Sequence, residues 1–386
     1  MQTDYLKKTI SFLPFLLLFL CNFKIPINQG SINWLDLIII FSICFLLLEI
    51  WKNPQKTTLL KNYFIKNEKI ILALVGINLL SIFSALIFSK QLFDSLGFIK
   101  SFILLPILFS ILFSIVFDEN NNQKQTTFFI FFSYASIIST ISIIGYFFFN
   151  QKTYDYRLAF PFQSPNQLAI FIAPALLIGC SFFKKQSFTF LIIIPLTSLL
   201  TALLLTESLG AIIGVSLATS AFFFNWKSRI KIVTSTFFLS LFFFSSIFFN
   251  SNQIAKIIKP TGSTDSRLVI WKVASMIAKN NPFGIGIGNF QNYYLEYQKY
   301  FPPYPQWAVP HSHNIFFQFL VESGIFSLLF FTILIYYIIK KATKKNLGFD
   351  SKVKIALIIY FLFHGSVDVL FWKNDLAFVF WFFLLV

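Results

Sequence analysis

"HSHNIFFQFLVESGIFSLLFFTILIYYIIKK", residues 311–341, opens on two histidines and closes on two lysines, and between Asn314 and Ile339 it holds one charged residue, Glu322. An α-helix rises about 1.5 Å per residue, so roughly 20 apolar residues cross the hydrocarbon core of a bilayer. The run 314–339 is long enough, and it reads as a membrane helix with imidazoles at its outer mouth and lysines at its inner end.

Working outward, the same criterion finds further apolar runs near 9–27, 32–50, 70–88, 97–117, 127–149, 167–183, 188–206, 208–224, 230–249, 354–372 and 375–386. The 386 residues are 56% hydrophobic and only 12% charged, which excludes an ordinary water-soluble domain. The fold expected is all-α: a polytopic membrane protein of about twelve transmembrane helices. The first run is not read as a cleavable leader, because no small-residue cleavage site follows it and Lys24 and Pro26 come next.

A formal net charge of +16 raises the question of nucleic acid, and the placement of the charges answers it. With twelve spans and the N-terminus in the cytoplasm, most Lys and Arg fall in inner loops: Lys7, Lys8, the group from Lys52 to Lys69, Lys124, Lys184, Lys185, Lys227, Arg229, Lys231, and the group from Lys340 to Lys354. Short outer loops take only Lys24, Lys90, Lys100, Lys152, Arg157 and Lys373. That asymmetry orients a multi-pass protein, whereas a nucleic-acid binder needs one clustered basic face. The organisation expected is helices one to nine in 1–249, a long outer loop with amphipathic helices in 250–313, and helices ten to twelve in 314–386. Cys21, Cys44 and Cys180 lie in or beside apolar runs with no CxxC spacing, and read as small packing residues.

The long loop is where function is expected. "STDSRLVIWKVASMIAKNNPFGIGIGNF" (263–290) begins with capping residues and continues with helix formers as far as Asn281 and Pro282, a helix of about four turns on which Arg267 and Trp271 share a face. "GIGIG" (284–288) follows a helix rather than a strand, so it is a tight turn and no dinucleotide motif; its amides are also able to face an anion. "FQNYYLEYQKYFPPYPQW" (290–307) reads as an interfacial aromatic belt or as a platform for sugar rings or a polyprenyl chain. His311 and His313 are either polar anchors or, for His313, a base able to take a proton from a hydroxyl. Arg267 brings a permanently charged planar fork suited to phosphate. The chain has no DxD and no HExxH, and Asp265 and Glu296 are the only acids in the loop, which argues against a metal-dependent transferase, a zinc hydrolase and a paired-carboxylate glycosidase.

Three stretches together resemble the bacterial O-antigen ligase and O-antigen polymerase superfamily. They are "RLAFPFQSPNQLA" (157–169), "SRLVIWKVASMIAKNNPFGIGIGNF" (266–290) and "HSHNIFFQFLVESGIFSLLF" (311–330), in that order. The resemblance implies a metal- and cofactor-independent inverting glycosyltransferase of the inner membrane. Its donor would be a saccharide on undecaprenyl diphosphate, and its acceptor a lipid A core sugar (ligase) or a growing glycan (polymerase). It carries the diphosphate-engaging arginine onto Arg267 and the catalytic base onto His313. Arg157, Asn166, Trp271, Lys272, His311 and Asn314 complete the expected substrate-binding set. Two positions depart from the family pattern: Leu209 stands where an arginine is frequent and Ala159 where glycine is usual. Transfer to a protein hydroxyl uses similar spans. A lipid-linked glycan carrier is the rival class, but the internal repeat and paired helix breaks expected of it are not visible. Glu322 reads as a satisfied intramembrane acid. His364 and Asp368, four apart on one helical face, read as an interhelical hydrogen-bonded pair rather than a proton relay.

Overall fold

A computed structural model describes residues 24–27, 30–117, 121–183, 190–223, 231, 263–302, 306–343 and 349–386. The expected span 230–249 (Lys231 apart), most of 9–27, Cys21 and the loop up to residue 262 lie outside them. A short antiparallel hairpin, β1 (Lys24–Ile27) and β2 (Gly30–Asn33), occupies the end of the expected first span. Pro26 explains this, since it offers no backbone donor to a helix and pushes the preceding residue towards extended backbone.

The rest is helical. Asn33 starts α1 (Trp34–Lys52) by accepting from the Leu35 amide at 3.1 Å. Asn53 does the same for the surface helix α2 (Pro54–Lys66), with Pro54 in its first turn. Then come α3 (Glu68–Phe88), α4 (Leu92–Phe117) with a π-helical turn at Lys100–Leu104, α5 (Asn121–Phe148), α6 (Pro165–Phe183), α7 (Phe190–Leu205) and α8 (Leu209–Phe223). Beyond the long loop's undescribed part follow α9 (Ser263–Asn280), α10 (Phe290–Tyr297), α11 (Ile315–Ser323), α12 (Ile325–Ala342), α13 (Phe349–Gly365) and α14 (Asn374–Leu385).

Among the described residues six helices are long and apolar enough to cross a membrane (α1, α3, α4, α5, α6 and α12), and α7, α8 and α14 are shorter apolar helices. In α6 83% of the apolar window is buried against 39% in α1 and α3, which places α6 in the middle of the bundle and turns Leu72, Leu79 and Leu86 of α3 outward. An outward apolar face is what hydrocarbon surroundings require. Helix α14 is enclosed: Phe378 and Phe382 lie 5.1 Å, centroid to centroid, from Phe109 and Phe113, and Trp381 donates through Nε1 to the Phe102 carbonyl at 2.8 Å.

Two expected spans end early, and both breaks shape the site. The run 314–339 is two helices, because Gly324 takes φ +86° and a Cβ there would stand 2.6 Å from the Phe283 backbone. Around that break the GIGIG turn pairs with the end of α11: the Gly286 amide donates to the Glu322 carbonyl at 3.0 Å and the Ile325 amide to Pro282 at 2.9 Å. The Glu322 carboxylate accepts from the amides of Gly288 (3.0 Å) and Phe290 (3.2 Å). Within the turn, the Gly288 amide is therefore taken by the protein's own Glu322 side chain. Glu322→Ala leaves two buried donors unpaired and is expected to lower stability by about 3 kcal/mol, read as a lower melting temperature in detergent. Glu322→Gln, which keeps an acceptor oxygen, is expected to lose less.

The second break is at Gly365. The expected span 354–372 becomes α13 followed by a non-helical return, 366–373, so His364 and Asp368 do not share a helical face. This return, the GIGIG turn and the loop before α6 gather at one end of the bundle. At the opposite end Lys341 donates to Asn67 Oδ1 at 2.9 Å.

Candidate active site

His313 is held from both sides by residues with no freedom left. Asn314 Oδ1 accepts from the amides of Phe316 (2.9 Å) and Phe317 (3.1 Å), capping α11, while its Nδ2 donates to the Ser366 carbonyl at 2.7 Å. Buried Ser312 donates from its amide (2.9 Å) and its hydroxyl (3.0 Å) to Gln318 Oε1. Between them His313 adopts φ +49°, a backbone state that costs about 1 kcal/mol or more outside glycine and persists only where its surroundings impose it. Trp271 contributes by donating through Nε1 to the His313 carbonyl at 3.3 Å. The imidazole is thereby aimed at Asp368, with Nδ1 3.2 Å from Oδ1.

Burial alone would raise the Asp368 carboxyl. The charge and hydrogen bond of His313, with the charge of Arg267, outweigh it and hold the group well below the usual carboxylate range. An ionised Asp368 puts the His313 proton on Nδ1 and leaves the lone pair on Nε2. His311 lies against His313, ring centroids 4.3 Å apart, and accepts from the His313 amide at 3.3 Å. Burial first, then the charges of His313 and Arg267, push His311 down to about 3 against the pull of Asp368, so it is neutral at neutral pH.

His311, His313 and Asp368 line a cavity of about 370 Å³, within the size range of small-ligand sites. The segment before α6 lines it as well, with Asp155, Arg157, Gln163, Asn166 and Gln167, and so does Trp372. Arg157 places Nε and Nη2 on Asp155 Oδ2, both at 2.6 Å. The α6 start is built reciprocally: Ser164 Oγ accepts from the Gln167 amide, and Gln167 Oε1 from the Gln163 amide, each at 3.3 Å. The "SPN" stretch (164–166) is thus a helix start, with Asn166 in the first turn at the cavity.

Four of the expected site residues, Arg157, Asn166, His311 and His313, meet at this cavity, whereas Arg267, Trp271, Lys272 and Asn314 are not part of its lining. Trp271 and Asn314 are buried and act on His313 and its neighbours through the bonds above. Arg267, on α9, has a buried Nε with no hydrogen-bond partner and forms no ion pair among the described residues, although its charge acts on Asp368 and His311. A guanidinium with unused donors beside a histidine–carboxylate pair suits an anionic ligand. The expected His364–Asp368 pairing is replaced: His364 Nδ1 meets the Tyr360 hydroxyl at 2.8 Å, and Asp368 goes to His313.

The comparison with known families falls on this region. Residues 194–332 match the O-antigen ligase family. The match covers a little over a third of the chain and takes in two of the three resembling stretches, 266–290 and 311–330. No curated protein matches the chain. The O-antigen ligase segment contains Arg267, Trp271, Lys272, His311, His313 and Asn314, while Arg157, Asn166 and Asp368 come from outside it. Helices long and apolar enough to cross a membrane, together with this segment, support a membrane protein similar to the O-antigen ligase and polymerase superfamily. Asp155, Gln163, Gln167, Trp372 and above all Asp368 were not candidates in the sequence. The signal for Asp368 was the "HGS" at 364–366, a helix stop inside an apolar run. The ligand atoms of His311, His313 and Asp368 lie within 4.8 Å of one another, the one group of metal-ligand type among the described residues.

Proposed function

We propose that the chain transfers a saccharide from undecaprenyl diphosphate to an acceptor hydroxyl in the cavity, with His313 as general base and Asp368 as the residue that orients it. The observation that carries this reading is the pairing of His313 Nδ1 with a buried, ionised Asp368 at the wall of a polar cavity. His313 Nε2 takes the proton of the acceptor hydroxyl as its oxygen attacks the anomeric carbon. The bond from that carbon to the diphosphate oxygen breaks, the carbon inverts, and the electron pair leaves with undecaprenyl diphosphate. Arg267 supplies the fixed cation for the charge growing on that leaving group, so the step as written needs no metal. Arg157 and Lys272 are the further cations for the diphosphate, and His311, Asn166 and Trp271 shape the binding surface. The cavity end is read as periplasmic and the lysine-rich end as cytoplasmic, in the bacterial inner membrane.

The acceptor is read as a lipid A core sugar, making the protein an O-antigen ligase. The test is deletion of the gene in its host, with extracted lipopolysaccharide compared on a gel. Loss of all polymer on the core, with long chains held on the polyprenyl carrier, is expected of a ligase. A core bearing a single repeat unit would make it a polymerase, and an unchanged pattern would contradict both.

Asp368→Asn tests the orienting role. A hydrogen bond to a charged partner is worth about 1.5–3 kcal/mol, so transfer is expected to slow by about 10- to 100-fold. Rates of the purified variant, at a matched melting temperature, check it.

A further inference from the structure

We propose that His311, His313 and Asp368 form a binding site for one divalent first-row transition-metal ion of the zinc type, and that its occupancy and proton transfer by His313 exclude one another. The site stands on geometry alone; the exclusion rests on the reading of His313 as the base. Two imidazoles and a carboxylate are a donor set that borderline cations prefer. His313 Nδ1 and Asp368 Oδ1 are 3.2 Å apart, and all three ligand atoms are within 4.8 Å of one another. Tetrahedral zinc with bonds of about 2.0–2.2 Å needs ligand atoms roughly 3.3 Å apart. One pair already has that spacing, and a side-chain adjustment of about 1.5 Å or less at His311 brings in the third. All three residues line the cavity, which leaves room for water or a substrate hydroxyl in a fourth position.

Binding gives up the His313–Asp368 hydrogen bond and, at most, the long 3.3 Å bond from the His313 amide to His311. Arg267 opposes the cation, so moderate affinity is expected rather than the affinity of a structural zinc site. A metal on His313 Nδ1 leaves the ring neutral only if its proton sits on Nε2. That nitrogen then has no lone pair for an acceptor hydroxyl, and transfer stops without any residue being displaced.

Competing donors are few: the chain has three histidines and three cysteines, and the third histidine, His364, is buried against Tyr360. The test is calorimetric titration of the full-length detergent-purified protein, freed of any histidine tag, with zinc chloride. A parallel titration with cobalt chloride is followed by visible absorption. One ion per chain with micromolar affinity is expected. His311→Ala and Asp368→Asn should each weaken it at least tenfold, with wild-type melting temperatures showing that both variants are folded. Transfer by the wild type is expected to fall as zinc fills the site and to return with a chelator. No binding up to millimolar zinc, or equal binding by wild type and both variants, would overturn the site. Variant-sensitive binding with transfer undiminished at full occupancy would overturn the exclusion, and with it the role of His313 rather than the site.

Discussion

His313→Ala is expected to lower the rate of glycan transfer by about 10²- to 10⁴-fold, the range that a well-placed general base contributes. The structure says why the loss should fall on the chemical step. The backbone of residue 313 is fixed by Trp271, Ser312 and Asn314, none of which uses the imidazole, so the alanine variant keeps the capped α11 and the tethered 366–373 return. Alanine also relieves a side chain at φ +49° only slightly, since any residue with a Cβ is strained there. The expected signature is a fallen turnover with donor affinity little changed, in a protein that still folds but melts lower because buried Asp368 has lost its partner. A proportionate loss of folded protein would mean that His313 is an anchor instead.

Arg267→Ala is expected to cost about 10²- to 10³-fold, or about 2.7–4 kcal/mol of transition-state stabilisation, the loss seen when one fixed donor to a developing anion is removed. Arg267→Lys should recover little of it, because an ammonium cannot reproduce the planar fork on two phosphate oxygens. Arg267 forms no ion pair among the described residues, so its removal takes from buried Asp368 only a more distant charge, and stability is expected to fall little. Turnover and melting temperature measured on the same preparations check both statements. Arg157 makes the contrast. Its guanidinium is already engaged by Asp155, so Arg157→Ala frees a carboxylate inside the cavity and should act on binding as much as on rate.

The helical class was legible because twenty-residue apolar runs have few other uses, and the α9 start was legible because capping is local chemistry. Both missed breaks have one cause. Gly324 and Gly365 sit inside apolar runs where hydropathy averages over them, and what stops the helices is a partner far away in sequence: the Phe283 backbone for one, and the Asn314 side chain through Ser366 for the other. Asp368 went unrecognised for the same reason. It lies 55 residues from His313, and a continuous helix would have carried it towards His364. The two histidines and Arg267 were legible by their rarity in an apolar chain, but that Arg267 stands outside the cavity lining depends on how α9 docks, which no local pattern encodes.

One assay decides whether His313 does chemistry. Wild type and His313→Ala, reconstituted in vesicles at equal density, are given a radiolabelled saccharide on undecaprenyl diphosphate with an acceptor glycan, and new glycosidic bonds are counted. Bond formation by the wild type and a loss of at least about a hundredfold in the variant is the expected result. Equal bond formation by both proteins, or lipid-linked saccharide crossing the vesicle with no new bond in either, would contradict the mechanism.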